Sequence, residues 1–182
     1  MKSYIITLVV VLFIANHSKK SEEIVKEYLF ESNKYRFEKA SSFLDSNYKE
    51  EFIDGSIEVE NLDQLKDFME WRKIMNSKSN IISIKSSHDT VITVEKIYHM
   101  MDEVLERKPR TFKIKYLIKD DKILKSIIDT LPGHSDILYF NSTKFGEFQK
   151  FCAKEGIESA MDMNAEGALK LKKALKLYKN RR

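Results

Sequence analysis

Residues 111–131 constrain the fold more than any other stretch of this 182-residue chain. From Thr111 to Lys119 the residues alternate, with Phe112, Ile114, Tyr116 and Ile118 on one face and Lys113, Lys115 and Lys119 on the other. Successive side chains of a strand point to opposite sides, so the pattern predicts a strand with one buried face. Asp120 and Asp121 form a tight turn, and Lys122 to Leu131 is the return strand. A slip of one residue would bury Lys113 and Lys115 without partners, so the pattern itself specifies the register. Alternation with one polar face is the mark of an antiparallel sheet.

The signal continues upstream. Ile81, Ile82 and Ile84, then Val91, Ile92, Val94, Ile97 and Tyr98, are β-branched or aromatic, and Ser86–Asp89 between them reads as a hairpin loop. Residues 21–44 follow a helical period instead. Ile24, Val25, Tyr28 and Leu29 share one face, and Phe37, Ala40 and Leu44 continue it after a break near Ser32 and Asn33. Asn61 caps a second helix, with Gln64 three residues later as its capping-box partner. Leu62, Leu65, Phe68, Met69, Trp71, Ile74 and Met75 give that helix an apolar face broad enough to lie across a sheet. Met100 to Arg110 is a loop or a helical turn ended by Pro109. Leu131-Pro132-Gly133-His134 is the clearest boundary in the chain. Beyond it Phe145, Phe148, Phe151 and Cys152 line one helix, and a final helix from Asn164 carries Ala168, Leu171, Leu175 and Tyr178.

Five Gly, two Pro and a single Cys exclude a disulfide scaffold, so stability must come from a packed core. Cys152, which follows Phe148 and Phe151, is expected to be buried as a small hydrophobe. The N-terminus has its own character: Lys2, an apolar run from Tyr4 to Ala15, then Asn16, His17, Ser18, Lys19 and Lys20. A basic tip, a short apolar core and a polar exit describe a secretory signal over residues 1–18, which puts the mature protein in a secreted or periplasmic setting. At about 1.5 Å per residue the run spans roughly 18 Å, too short for a hydrocarbon core of about 30 Å. The net charge of +4 is concentrated after Ala168, in Lys170, Lys172, Lys173, Lys176, Lys179, Arg181 and Arg182. No interleaved aromatic and basic groove accompanies it, so nucleic acid is not an expected partner. The apolar stripe of the last helix fits docking onto its own domain better than contact with a membrane.

Helices, then a capped helix, then long antiparallel strands is the order of the nuclear transport factor 2-like superfamily, which includes ketosteroid isomerase-like and polyketide cyclase-like proteins. Residues 21–131 resemble it in the segments FLDSNYKEEFIDG, LDQLKDFMEWRKIM and TFKIKYLIKDDKILKSIIDT. The resemblance implies an α+β cone whose N-terminal helices pack on a curved antiparallel sheet around a pocket, with residues 132–182 as a C-terminal helical extension. In isomerase-like members an acidic base follows the first helices, and Asp54 stands nearest that position; its neighbour Gly55 favours an ordinary turn instead.

Among other candidates, Glu95 and His99 share strand parity and would form an oriented acid–base pair if they met on one face. Trp71, Tyr98, Phe112 and Tyr116 are the expected walls of a ligand pocket, or else core filling. The four histidines lack metal-ligand spacing, and no nucleophile elbow or phosphate-binding glycine loop is present. The expected role is therefore an exported, non-catalytic module that binds a small apolar molecule and needs no cofactor or metal. The alternatives are a cofactor-free isomerase or cyclase using Asp54 or the Glu95–His99 pair, and an interaction module that pairs as a homodimer through its open sheet face.

Overall fold

The computed structural model describes residues 20–158 and 162–181; the expected signal segment, residues 1–18, lies outside them. The chain opens with helix α1 (20–33), which buries Val25, Tyr28 and Leu29 as its period requires. Tyr35 then takes a left-handed conformation (φ 57°) that separates α1 from the short α2 (Phe37–Ser41). Contrary to the helical reading of residues 21–44, Leu44 does not continue this helix. It opens strand β1 (Leu44–Phe52) and pairs with Ile123. Its apolar side chain is equally well buried by a strand, and pairing with the sheet decides the outcome.

Strand β2 (Ile57–Val59) follows the Asp54-Gly55 turn, and α3 (Leu62–Ile74) begins at Asn61, whose side chain accepts from the Gln64 amide. Gln64 returns the favour one residue early: its Oε1 accepts from Glu60 N. Strands β3 (Lys78–Ser87) and β4 (Thr90–Tyr98) form the expected hairpin. A single turn, α4 (Met100–Val104), leads to β5 (Arg110–Lys119) and β6 (Lys122–Thr130). The β5–β6 register is the one set by alternation: Phe112, Ile114, Tyr116 and Ile118 are buried while Lys113 and Lys115 face solvent. Asp120 and Asp121 both have positive φ, the conformation a two-residue hairpin turn demands.

The six strands make one curved, unclosed sheet in the order β2-β1-β6-β5-β4-β3. All neighbours are antiparallel except β1 and β6, so the sheet is mixed. Helices α5 (His134–Glu155) and α6 (Ala165–Asn180) complete the described residues, and none of the helices there is long and apolar enough to cross a membrane.

The α3 helix is apolar on two sides because it separates two cores. Leu65 and Met69 meet the sheet and α1, while Trp71 and Met75 meet Phe148, Cys152, Leu171 and Leu175 from α5 and α6. Cys152 is buried, as expected, and burial pushes its thiol up.

Candidate functional site

Alternation in β4 puts Val91, Thr93, Glu95 and Ile97 on the concave face, which places a carboxyl side chain where the core would otherwise be. Glu95 is 1% exposed and fully engaged. Its Oε1 accepts from Thr93 Oγ1 and Tyr116 OH, each at 2.6 Å, and its Oε2 accepts from Ser79 Oγ. These three hydroxyls are the compensation that lets an acid sit this deep.

In β1 the same period turns Tyr48 and Glu50 inward. Tyr48 OH donates to Glu50 Oε1 at 2.7 Å and lies 2.7 Å from Ser126 Oγ; Tyr28 OH reaches the same Oε1 at 3.4 Å. Neither tyrosine reaches Oε2. Burial pushes the Glu50 carboxyl up; the Tyr48 hydrogen bond and Arg72 pull against this, and Glu58 and Glu95 push further up. Glu58, on β2, is likewise raised by burial and drawn back by Arg110. Burial also raises the phenols of Tyr28, Tyr48 and Tyr116.

These groups surround an inner cavity of about 170 Å³ between the concave face of the sheet and the helices α1 and α3. Leu29, Phe68, Trp71, Phe112, Ile114 and Ile128 supply its apolar wall, and Glu50, Glu58, Glu95 and Arg72 its charged one. An outer compartment of about 280 Å³ adjoins it under α5 and α6, and Trp71, His99, Arg110 and Met163 border both spaces.

At that border His99 is 5% exposed and sits just before α4, edge-on to the Trp71 ring at 5.6 Å. Arg110 Nη2 is 2.9 Å from its Nε2. A guanidinium only donates, so Nε2 accepts and the ring proton belongs on Nδ1, 3.6 Å from Asp102 Oδ2. The same Asp102 oxygen accepts from the His99 backbone N at 3.1 Å. Burial, with help from Arg110 and Arg107, holds the imidazole pKa down to about 3, while burial raises the Asp102 carboxyl against the pull of both arginines.

The sign of the linkage at His99 follows directly. A pKa depressed below the unfolded value near 6.5 contributes stability that is full above pH ~6.5 and is lost as pH falls toward about 3. The expected result is that wild type loses stability relative to His99→Gln on acidification through that window, at up to about 1.4 kcal/mol per pH unit. The raised carboxyls of Glu50, Glu58 and Asp102 act in the opposite direction in both proteins, so urea titrations of the pair at matched pH isolate the histidine. Parallel pH profiles would refute the assignment.

Of the residues singled out in sequence, Trp71, Phe112 and Tyr116 lie on the cavity wall. Tyr98 does not: it is 39% exposed, because a strand that turns Glu95 and Ile97 inward must turn Tyr98 out. Glu95 and His99 border the same cavity but are not paired; each is held by other partners, and His99 has left the strand. Asp54 lies outside the cavity in an exposed turn, where Oδ1 accepts from Ser56 N at 2.9 Å and Ser56 Oγ at 2.7 Å, and these bonds hold its carboxyl below the usual range. Asp54→Asn keeps the turn chemistry, so its urea midpoint is expected to move no more than that of an ordinary surface substitution. Among the described residues, no cluster of His, Cys, Asp or Glu is arranged to hold a metal ion.

Sequence reasoning missed Glu50, Glu58, Tyr28, Tyr48 and Arg110 as site residues. The alternation Tyr48, Glu50, Phe52 was available as a signal once residues 44–52 are read as a strand.

No protein-family model matches the chain, and no curated protein matches it in sequence. Solved structures do match. A candidate ketosteroid isomerase from Kribbella flavida aligns with a TM-score of 0.52 at 7% identity, over 62% of this chain and 78% of that one. An uncharacterized cystatin-fold protein from Novosphingobium aromaticivorans aligns with a TM-score of 0.51 at 12% identity, over 59% and 96%. A nuclear transport factor 2-like protein of unknown function from Cytophaga hutchinsonii gives 0.48 at 16% identity, over 59% and 87%. At these identities it is the architecture alone that is shared: helices laid over a curved, unclosed sheet, as in the ketosteroid isomerase-like and cystatin-fold structures that align with TM-scores of 0.52 and 0.51.

Proposed function

We propose that the protein binds a small molecule in the inner cavity, and that this molecule is polar at its deep end rather than apolar throughout. The observation that carries this reading is the collection of Glu50, Glu58 and Glu95 around one partly open cavity of about 170 Å³. Burying carboxyl groups costs stability, and a core needs none of them; a ligand with donor groups gives them a purpose. Residues 1–18 support a location outside the cytoplasm, and recovery of a chain shortened by that segment from the medium or periplasm is the expected result.

Native mass spectrometry and thermal shift with a small-molecule panel test the binding role. A retained mass, or a rise in melting midpoint with any panel member, is expected; a ligand at 100 times its Kd stabilises by about 2.7 kcal/mol. An empty protein that no compound stabilises at millimolar concentration overturns the reading.

Glu50 favours a second reading, a cofactor-free proton-transfer enzyme. A carboxyl raised by burial, with a tyrosine on one oxygen, is suited to exchange a proton with a carbon acid next to a carbonyl. If turnover of such a substrate is found, Glu50→Gln is expected to lower it roughly 10²–10⁴-fold without a comparable loss of stability.

A further inference from the structure

The outer compartment carries charge of the opposite sign to the inner one. Arg107 and Arg110 both border it, alongside Trp71, Met101, Phe145 and Leu171. The hydrogen bonds of these two guanidinium groups within the described protein are poor in number. Arg110 Nη2 is spent on His99, and Arg107 Nη1 on the soft sulfur of Met101 at 2.7 Å. Both Nε atoms are buried without a hydrogen-bond partner, although Arg107 Nε lies 3.3 Å from Asp102 Oδ1 in an ion pair that is not aligned to bond. Each guanidinium has five donors in a fixed fork, and the described protein engages only part of it.

Asp102 is the carboxyl paired with Arg107, while His99 is neutral across the physiological range and neutralises nothing. Glu58 senses Arg110 from the inner cavity. Asp102 and Glu58 therefore balance the two arginines in charge, and what the outer compartment has to spare is hydrogen-bond donors, the buried Nε–H groups of Arg107 and Arg110.

Resting on the reading that the cavity holds a small molecule, we infer that its ligand is a small organic monocarboxylate, whose carboxylate is held by Arg110 and Arg107 in the outer compartment while its body passes Trp71 into the inner cavity. A planar carboxylate suits two forked guanidinium groups, and with Asp102 and Glu58 already beside them the arginines have no charge surplus to hold a phosphate dianion. The carboxyls of Glu50 and Glu95, which line the inner cavity and not the outer compartment, set the orientation, since they repel an anionic head from the inner end. They also favour ligands whose other end carries a hydroxyl or an amine.

The test is a comparison of short aromatic and aliphatic carboxylates (benzoate, phenylacetate, hexanoate) with their amides, in carboxylate-free buffer. It is read by calorimetry and by the fluorescence of Trp71, the one tryptophan of the chain. At least one acid is expected to bind roughly 10- to 100-fold more tightly than its amide, the range of a charge-assisted hydrogen bond. Arg110→Gln keeps a donor for His99 and should abolish the preference for acid over amide, read as the ratio of the two affinities in the same variant. Arg110→Lys, which retains the charge, serves if the Gln variant does not fold, and should retain part of the preference. Equal affinity for acid and amide, or an undiminished preference in the folded Arg110 variants, overturns the carboxylate assignment but not the cavity reading. Tighter binding of inorganic phosphate than of every acid also overturns it. Failure of acids and amides alike, at millimolar concentration, overturns this assignment; the cavity reading falls only if the wider panel and native mass spectrometry also fail.

Discussion

Glu95→Ala is expected to destabilise the fold by about 3–5 kcal/mol, although it removes a buried acid, because unsatisfied buried hydroxyls cost about 1–3 kcal/mol each before they reorient. The hydroxyls of Ser79, Thr93 and Tyr116 all end on this one side chain, and they come from three adjacent strands, β3, β4 and β5. Glu95→Gln keeps two of those acceptor contacts on its carbonyl oxygen and should cost less than the Ala variant. Urea unfolding at neutral pH measures both. An Ala variant as stable as wild type would mean that the three hydroxyls find other partners, and that Glu95 is held at a net cost for the sake of a ligand.

Phe148→Ala is the second large effect. The ring is fully buried, edge-on to Tyr178 at 5.5 Å, and clustered with Trp71 of α3 and Met75 just past its end as well as Leu171 and Leu175 of α6. Truncating a buried Phe costs about 3–5 kcal/mol, part from lost transfer energy and part from the cavity left behind. The location makes the experiment informative about organisation. Trp71 belongs to the core shared with α5 and α6, and Leu65 and Met69 on the same helix belong to the core under the sheet. We therefore expect wild type and variant each to unfold in a single transition, with Trp71 fluorescence and far-UV circular dichroism coincident. A Trp71 transition that precedes loss of the β signal would show that residues 132–182 come away as a separate unit.

How much of this was legible beforehand varies element by element. The β5–β6 hairpin was readable because its alternation puts lysines and large apolar side chains on opposite faces, so a one-residue slip would bury the lysines, and the Asp120-Asp121 turn sets where the strands meet. The cap of α3 was readable because Asn61 and Gln64 interact with backbone groups within one turn. Leu44 was misassigned because apolar residues spaced three and four apart satisfy a helix, while the strand it joins is paired with residues some eighty positions away. Once that strand was missed, the inward parity of Tyr48 and Glu50 went with it, and so did half of the site.

From its own residues, then, the chain determined its α+β character, the central hairpin, the helix starts at Asn61 and Asn164 and the burial of Cys152, all governed by periodicity or by hydrogen bonds within a few residues. The tertiary structure alone decided which polar residues meet. Glu50, Glu58 and Glu95 lie on different strands, and Arg107 and Arg110 face helices that begin more than twenty residues later. Local pattern can say that a side chain points inward; which side chains it finds there depends on strand order, on the parallel β1–β6 pairing and on two C-terminal helices folding back over α3.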